Sequence, residues 1–293
     1  MKHLEKPHPD LKKGIFLALL GWLSISTVYM LTKFLGDQTS IPTVLFFRNF
    51  IGILIVLPWI FFNFPHSVQI SSLKKIILRA ILSLLNLCFM FLAVRKISLV
   101  NATLLSNSAP FFVPFIIWLW HKIPINHKLW PIEIIGFMGI FLVLKPTEGI
   151  FNTGSIYALL SGLCFAMILV LMRELAHSEN IFAFMFYFCL FGGLLSLPFA
   201  FFYWKIESGW TLLSLIVLGA LASLSQFFSF YALRYAKSRQ VAPFMYGSVI
   251  FSGIYEWILW DRQPHLIAYV GIILVISSGA WLVYVNRPQN TIT

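Results

Sequence analysis

Two charged residues of opposite sign, Arg48 and Glu256, lie inside long apolar segments of the sequence. A charge in the middle of a membrane span costs about 2.5–3.5 kcal/mol on insertion scales, so it marks a functional site by default. Arg48 lies six residues after Pro42 and Glu256 lies five residues before Asp261. These spacings place the two charges about 9 Å and about 8 Å from their helix ends. Opposite charges at similar depth invite pairing, and the sequence leaves open whether the two residues pair or contact a substrate.

Other roles for these two charges stay open at this point. The long stem of Arg48 would also allow its guanidinium to reach the membrane interface, whereas Glu256 is too short to do so easily. An ion pair that only stabilises the helices is a further alternative. The sequence does not decide whether Glu256 carries a coupled proton.

Polar and aromatic side chains recur at helical spacing along several of the same segments. Amides can bind a solute, and aromatic rings can face a planar or cationic ligand. The alternative is that these side chains bond across helices or fill the core. The binding candidates are Trp22, Tyr29, Arg48, Asn86, Asn107, Gln226, Tyr246 and Glu256. Pro110 and Pro114 each remove a backbone donor and should bend their helix, which suits gating but also occurs in static helices.

The composition requires that a lipid bilayer surround these residues. Apolar residues make up 59% of the 293 positions and charged residues 11%, and the mean hydropathy is +0.87. A soluble domain carries about a quarter charged residues, so a soluble protein is excluded. The net charge of +11 does not indicate nucleic acid, because the basic residues are spread between apolar runs and serve to orient the chain.

Ten segments are long and apolar enough to span the membrane, or nearly so. They are 14–34, 42–62, 76–95, 99–120, 130–146, 154–173, 181–203, 211–234, 240–260 and 266–285. With alternating sides, fourteen of the 21 Lys and Arg residues fall on the side of the termini and six on the other, and Arg48 lies within a span. This bias predicts cytoplasmic termini.

The two halves of the sequence are related by an offset of about 140 residues. The segment beginning at Gly14 matches the one beginning at Gly154, and the run 120–124 faces 260–264. We therefore predict an all-α integral membrane protein of two inverted five-helix repeats, 1–150 and 151–293. An offset of 139 pairs Asn86 with Ser225, next to Gln226, so the amides of Asn86 and Gln226 should approach the pseudo-twofold axis from opposite halves. Inverted repeats are a recurrent transporter plan with a solute site near the midplane.

Several short motifs resemble those of a known family. They are Phe46-Phe47-Arg48, Leu78-Arg79-Ala80, Pro110, Gly136, Gly139 and Ala242-Pro243-Phe244-Met245-Tyr246. In this order the chain resembles ten-helix EamA-type members of the drug/metabolite transporter (DMT) superfamily, and the Phe-Phe-Arg and Ala-Pro-x-x-Tyr runs resemble its S-adenosylmethionine uptake transporters. The resemblance implies that helices 1–4 and 6–9 surround a central cavity. His121 and Asp261 depart from the family pattern, which has an acidic residue and Glu at these positions.

Missing motifs narrow the expected function further. The sequence has no phosphate-binding Gly-x-x-x-x-Gly-Lys loop, no His-Glu-x-x-His pair and no potassium-filter run. We expect a secondary carrier of a small molecule in the bacterial inner membrane, with no metal or organic cofactor and no enzymatic activity. Proton or counter-substrate coupling and the oligomeric state stay open. The alternatives are an amino-acid or drug exporter of the same fold and, more remotely, a membrane enzyme or a structural protein. An enzyme would need clustered titratable groups, whereas the candidates Glu133, Glu174, Glu179 and Asp261 are scattered.

Overall fold

Eleven α-helices account for almost all residues that the structure, a computed structural model, describes. The described residues are 10–62, 70, 72–122, 130–144, 152–178, 180–236, 242–261 and 266–285. The helices are α1 (Leu11–Leu35), α2 (Ile41–Phe62), α3 (Leu73–Lys96), α4 (Leu99–Ser106), α5 (Ala109–His121), α6 (Trp130–Leu144), α7 (Thr153–Ser178), α8 (Ile181–Phe202), α9 (Gly209–Tyr235), α10 (Gly247–Trp260) and α11 (Leu266–Val285). Short 3-10 turns cover Gly36–Gln38 and Ala242–Tyr246.

The bundle has the dimensions and the surface of an integral membrane protein. Within the described residues, seven helical stretches are long and apolar enough to cross a membrane: Leu11–Gln38, Ile41–Phe62, Leu73–Lys96, Leu99–Trp120, Thr153–Met172, Ile181–Phe202 and Gly209–Ala232. Large apolar side chains point outward, with Phe62 87% exposed and Phe201 77% exposed. Such a surface is compatible with lipid and not with water. The chain is therefore an all-α integral membrane protein.

Two of the predicted spans are divided where a continuous helix was expected. The span over 99–120 is split between α4 and α5 at Asn107 and Ser108, and the span over 240–260 begins as a 3-10 turn before α10. Pro110 lies in the first turn of α5, where its missing N–H costs little but where it cannot bond back to α4. The chain is thus redirected by a helix break ahead of Pro110, and Pro114 is the proline inside α5.

The helices pack in a pattern that is unchanged when the two halves are exchanged. α1 packs against α9 as α7 packs against α3, and α2 packs against α9 as α8 packs against α3. α2 pairs with α8, α4 with α10, and α6 with α11. A duplicated five-helix unit is expected to give this pattern, because each helix then contacts the counterpart of its own partner.

Glycines bring α2 and α8 close together at the centre of this arrangement. A Cβ atom built on Gly52 would lie 2.7 Å from the Cys189 sulfur, and one on Gly192 would lie 2.7 Å from Asn49 Oδ1. Small residues of this kind allow membrane helices to approach backbone to backbone. The close approach seats Asn49, and with it the neighbouring Arg48, directly against α8.

Candidate functional site

Two arginines are buried where helices of the two halves meet. Arg48 of α2 is 5% exposed and Arg79 of α3 is 3% exposed. The Arg79 Cζ atom lies 4.4 Å from the ring centroid of Phe184 and 4.6 Å from that of Phe188. The Arg48 Cζ atom lies 5.5 Å from the same Phe188 ring. These distances are within the range of cation–π attraction, so the two guanidinium groups share one aromatic ring of α8.

Helical spacing explains why each arginine points inward. The buried positions of α2 include Leu45, Arg48, Asn49, Gly52 and Val56, and those of α3 include Ile76, Arg79, Ala80 and Ser83. Residues three and four apart share one helix face, and this face packs on α8 in both cases. The arginines therefore occupy core positions of their helices and do not reach the membrane interface.

Hydrogen bonding uses only part of the capacity of the two guanidinium groups. Arg48 Nη1 donates to Asn49 Oδ1 at 3.3 Å, and Arg79 Nη2 donates to Gln226 Oε1 at 3.5 Å, which is the outer limit for a hydrogen bond. Among the described residues, Arg48 Nε and both Nε and Nη1 of Arg79 have no hydrogen-bond partner. Buried donors are nearly always satisfied in proteins, so these three N–H groups mark a place where polar contacts are incomplete.

Two small cavities lie in this region, and Arg48 lines one of them. One of about 10 Å³ is lined by Arg48, Met185, Phe188, Cys189, Ala222, Ser223 and Gln226. The other, of about 40 Å³, is lined by Met172, Phe184, Met185, Gln226, Ser229 and Phe230. A drug-sized ligand needs roughly 300–1,000 Å³, so a metabolite can enter only after the surrounding helices separate.

Glu256 forms a second charged site elsewhere in the bundle. Its Oε1 atom lies 2.8 Å from Lys33 Nζ, and its Oε2 atom accepts the backbone N–H of Val100 at 3.0 Å. Lys33 also donates to the carbonyl of Ile97 at 3.1 Å. Because Val100 lies in the first turn of α4, the carboxylate caps that helix as well as pairing with α1.

The expected pair between Arg48 and Glu256 is therefore wrong. Lys33 occupies the carboxylate, since it lies in the last turn of α1 and its long stem reaches inward. Arg48 instead faces Asn49 and Phe188 on the α2–α8 contact. The helix face on which a charge lies decides which groups meet, and the spacing from the helix ends does not give it.

Contacts between the two halves close the end of the bundle that holds Lys33 and Glu256. Thr39 forms an antiparallel β-bridge with Ile206, and Thr211 Oγ1 donates to Gln38 Oε1 at 3.2 Å. Thr43 Oγ1 contacts the carbonyl of Tyr203 at 3.4 Å. We call this region the Thr39 end. Its hydrogen bonds join the α1–α2 connection to the α8–α9 connection, so the two halves are held together at this end.

The two interrupted spans contact each other across the same interface. Asn107, at the break between α4 and α5, donates through Nδ2 to Ser248 Oγ at 2.6 Å and to the Met245 carbonyl at 3.4 Å. Ser26 of α1 donates to the Ser248 carbonyl at 3.2 Å. Broken helices that meet between repeats are a feature of transporter binding sites, where free backbone groups line the solute path.

Comparison with known proteins identifies the family that has this arrangement. The model of the EamA-like transporter family matches residues 12–145 and again residues 152–285. The chain belongs to the EamA-like transporter family. It is a membrane transporter and not an enzyme, and the resemblance to the DMT superfamily is confirmed.

Several relatives of this EamA transporter are known by function. An S-adenosylmethionine uptake transporter of Rickettsia felis is 26% identical over 277 residues, which cover 93% of this chain and 94% of the relative. A pseudopaline exporter, CntI, of Pseudomonas aeruginosa is 24% identical over 274 residues, with 91% and 94% covered. A solved crystal structure with 16% identity superposes with a TM-score of 0.61 over 92% of this chain and 94% of the other, which supports the fold.

The remaining candidates of the EamA transporter take up positions in the core. Trp22 packs edge-on against Phe165 with ring centroids 6.4 Å apart, and Tyr29 packs in the same way against Phe91 at 6.4 Å. Tyr246 is 3% exposed in the main apolar cluster. The structure thus brings Arg48 and Gln226 to one cavity and places the other candidates around separate contacts.

Asn86 and Gln226 form hydrogen bonds with different partners. Asn86 Nδ2 donates to the carbonyl and the hydroxyl of Ser161 on α7, at 2.8 and 2.9 Å, whereas Gln226 contacts Arg79. The repeat offset relates positions along the two halves but does not decide which side chains touch. The face of α3 that carries Asn86 meets Ser161 of α7. The side chains of Glu133, Glu174 and Glu179 lie outside the described residues.

Two residues of the charged sites were not among the candidates from sequence. Arg79 follows Lys74 and Lys75 near a predicted helix end and therefore looked like an interfacial cation. Lys33 likewise appeared to mark the end of the first span. The sequence pattern that could have identified Arg79 is the row of polar residues along one face of α3, in which Arg79 is followed by Ser83 and Asn86 at steps of four and three.

Proposed function

We propose that this EamA transporter is a secondary carrier that moves a small metabolite by alternating access between its two repeats. The observation that supports it is the burial of charged groups where helices of opposite halves meet. Arg48 and Arg79 face α8 and α9, and the Lys33–Glu256 pair joins α1 to α10. Charges held inside a membrane protein mark solute or ion paths, and repeat interfaces are where carriers bind their solutes.

The alternation would open and close the Thr39 end. We place this end on the extracytoplasmic side of the bacterial inner membrane and both termini in the cytoplasm, on the strength of the fourteen-to-six distribution of basic residues. We also propose that the repeats divide near residue 150, as 1–150 and 151–293. The contacts between the halves at the Thr39 end and the small cavities support a closed arrangement of the helices, from which the halves must rock apart to admit a solute.

The substrate that we propose is S-adenosylmethionine or a similar amino-acid derivative, taken up into the cell. This assignment is supported by the uptake transporter that is similar over nearly the whole chain. Export of an amino-acid derivative is the second candidate, because the pseudopaline exporter is similar over almost the same length. The relatives include both an uptake transporter and an exporter, so membership of the family does not decide the direction of transport. The driving gradient that we propose is that of a counter-substrate or of protons.

The test is flux through the purified chain in proteoliposomes. Radiolabelled S-adenosylmethionine should accumulate inside vesicles that are preloaded with the unlabelled compound, and an imposed pH gradient should change the rate if protons are coupled. Protein-free vesicles give the background. If S-adenosylmethionine does not exchange while labelled amino acids or toxic analogues are transported, the proposed substrate is wrong and the proposed carrier function is supported. An absence of flux for the whole panel would contradict the carrier itself.

A further inference from the structure

We infer that Arg48 and Arg79 together form the binding site for a carboxylate group of the transported solute. The inference rests on the proposed function and narrows it, because it assigns a chemical group and two residues to the solute site. It also separates solutes that carry an acid from those that are only cationic.

The geometry favours one shared site over two separate arginine contacts. Both guanidinium groups lie against the Phe188 ring, at 5.5 Å for Arg48 and 4.6 Å for Arg79. The ring contacts both groups and offers them no conventional hydrogen-bond acceptor. A guanidinium is a planar set of donors that matches a carboxylate in a bidentate contact, so two of them on one ring can enclose such a group.

The unpartnered N–H groups of Arg48 and Arg79 support a site for an acceptor that the solute supplies. Arg48 Nε and Arg79 Nε and Nη1 have no partner within the described part of the chain. The bonds that do form go to the neutral amides of Asn49 and Gln226, at 3.3 and 3.5 Å. Neutral amide oxygens only partly satisfy a guanidinium, whereas a carboxylate offers about four lone-pair positions.

The charge balance around the two arginines also supports a bound carboxylate. Among the described residues, no acidic side chain forms an ion pair with Arg48 or Arg79, and the buried carboxylate of Glu256 is bound to Lys33. Two like charges held without an anion in a membrane interior oppose folding. An arrangement that only stabilised the helices would be expected to include a carboxylate, and the described contacts of the two arginines include none, which supports a compensating charge from the solute.

The neighbouring cavities show where the rest of the solute would enter. Gln226 and Met185 line both the 10 Å³ cavity beside Arg48 and the 40 Å³ cavity beside Phe184. Both side chains are unbranched and flexible, and methionine adapts readily to different neighbours. Rotation of these two side chains, together with separation of α8 from α2 and α3, would join the cavities next to the guanidinium groups.

The experiment compares solutes that differ only in the carboxylate. The probes are S-adenosylmethionine with decarboxylated S-adenosylmethionine, and a panel of amino acids with their decarboxylated amines. Binding is measured on detergent-purified full-length protein by the rise in unfolding temperature with ligand concentration. Transport is measured separately by exchange in proteoliposomes.

The variants are Arg48→Gln and Arg79→Gln, with Arg48→Lys and Arg79→Lys as versions that keep the charge. Arg95→Gln is the matched control, because Arg95 lies on α3 with Arg79 but donates to the Thr39 carbonyl at 2.9 Å. Loss of one charge-assisted contact should weaken binding of the acid about 10- to 100-fold. The amine should bind each arginine variant as it binds the wild type, and the lysine variants should keep part of the preference.

Each result decides one of the two proposals. A wild type that prefers acids, with a preference lost in both glutamine variants and kept in Arg95→Gln, supports the site. If the glutamine variants fold and still prefer acids, the arginines only clamp α3 and α2 onto α8, and the site is wrong. If either glutamine variant fails to fold, the corresponding lysine variant decides, since a full acid preference there contradicts the bidentate contact. Binding with acid preference but without transport would keep the site and contradict the carrier.

Discussion

Lys33 and Glu256 connect the two halves of the bundle through a buried ion pair with 2.8 Å between Nζ and Oε1. The same carboxylate accepts the Val100 N–H, and the same ammonium donates to the Ile97 carbonyl. One charge pair therefore fastens α1, α4 and α10 at the Thr39 end. Any movement that opens this end must separate Lys33 from Glu256 or carry both together.

The variant Glu256→Gln should lose transport while it still inserts into the membrane. The glutamine can keep the hydrogen bond from Val100 but leaves the Lys33 ammonium without its counter-charge. Breaking a buried pair costs about 3–5 kcal/mol, and we expect about 3 kcal/mol because Lys33 retains the Ile97 carbonyl. Thermal unfolding in detergent measures the stability, and exchange in proteoliposomes should fall at least about tenfold, the equivalent of 1.4 kcal/mol.

The Lys205–Glu207 pair provides a control on the exposed surface of the same end. Its N–O distance is 3.1 Å, but the two side chains are 47% and 51% exposed. Exposed pairs contribute about 0–1 kcal/mol, so Glu207→Gln should unfold and transport like the wild type. Wild-type exchange in Glu256→Gln would reduce Glu256 to a packing role.

The variant Arg79→Met should stabilise the protein and remove its transport. The substitution replaces a buried cation with free donors by an apolar side chain of similar length, a change that is often stabilising by about 1–4 kcal/mol. Arg95→Met should instead destabilise the protein. The Arg95 guanidinium donates to the Thr39 carbonyl at 2.9 Å, and a charged hydrogen bond contributes about 1.5–3 kcal/mol. Unfolding temperatures that shift in the same direction for both variants would contradict this assignment.

The variant Gly192→Ala should weaken solute binding by displacing Asn49. The new Cβ atom would lie 2.7–3.0 Å from the amide of Asn49, which contacts Arg48 and donates to the Leu45 carbonyl at 2.8 Å. Overpacking of this kind costs about 1–3 kcal/mol. Gly193→Ala is the control, because its nearest contacts are 3.8 Å away. Equal unfolding temperatures and equal affinities for the two variants would show that Asn49 does not position Arg48.

The sequence predicts the membrane class, the helix spans and the duplication because each depends on a property that is summed along the chain. Hydropathy over about 20 residues needs no knowledge of neighbours, and the 140-residue offset is read directly. Which side chains form ion pairs is not a property of this kind. Lys33 lies in the last turn of α1 and Arg48 lies inside α2, and the packing of these helices decides which cation meets Glu256.

Burial of single charges was equally hard to predict. Arg79 lies near two lysines that remain exposed, and the sequence alone favours the same position for all three. The packing of α3 against α8 turns Arg79 inward onto Phe184 and Phe188. Helix contacts between distant segments therefore determine the site, and a single sequence carries little information about them.

The variant Pro114→Ala tests whether a bend in α5 is used during transport. Pro114 lies inside α5, where it denies the Pro110 carbonyl its helical partner, and alanine would restore that bond and straighten the helix. We expect a higher unfolding temperature, an unchanged affinity and an exchange rate reduced several-fold. Pro198→Ala in α8 is the control, because Pro198 is also inside a helix but points outward; it should raise the unfolding temperature and leave the exchange rate as it is. Wild-type exchange in Pro114→Ala would assign the proline a static role and leave the break at Asn107 as the place where α4 and α5 hinge.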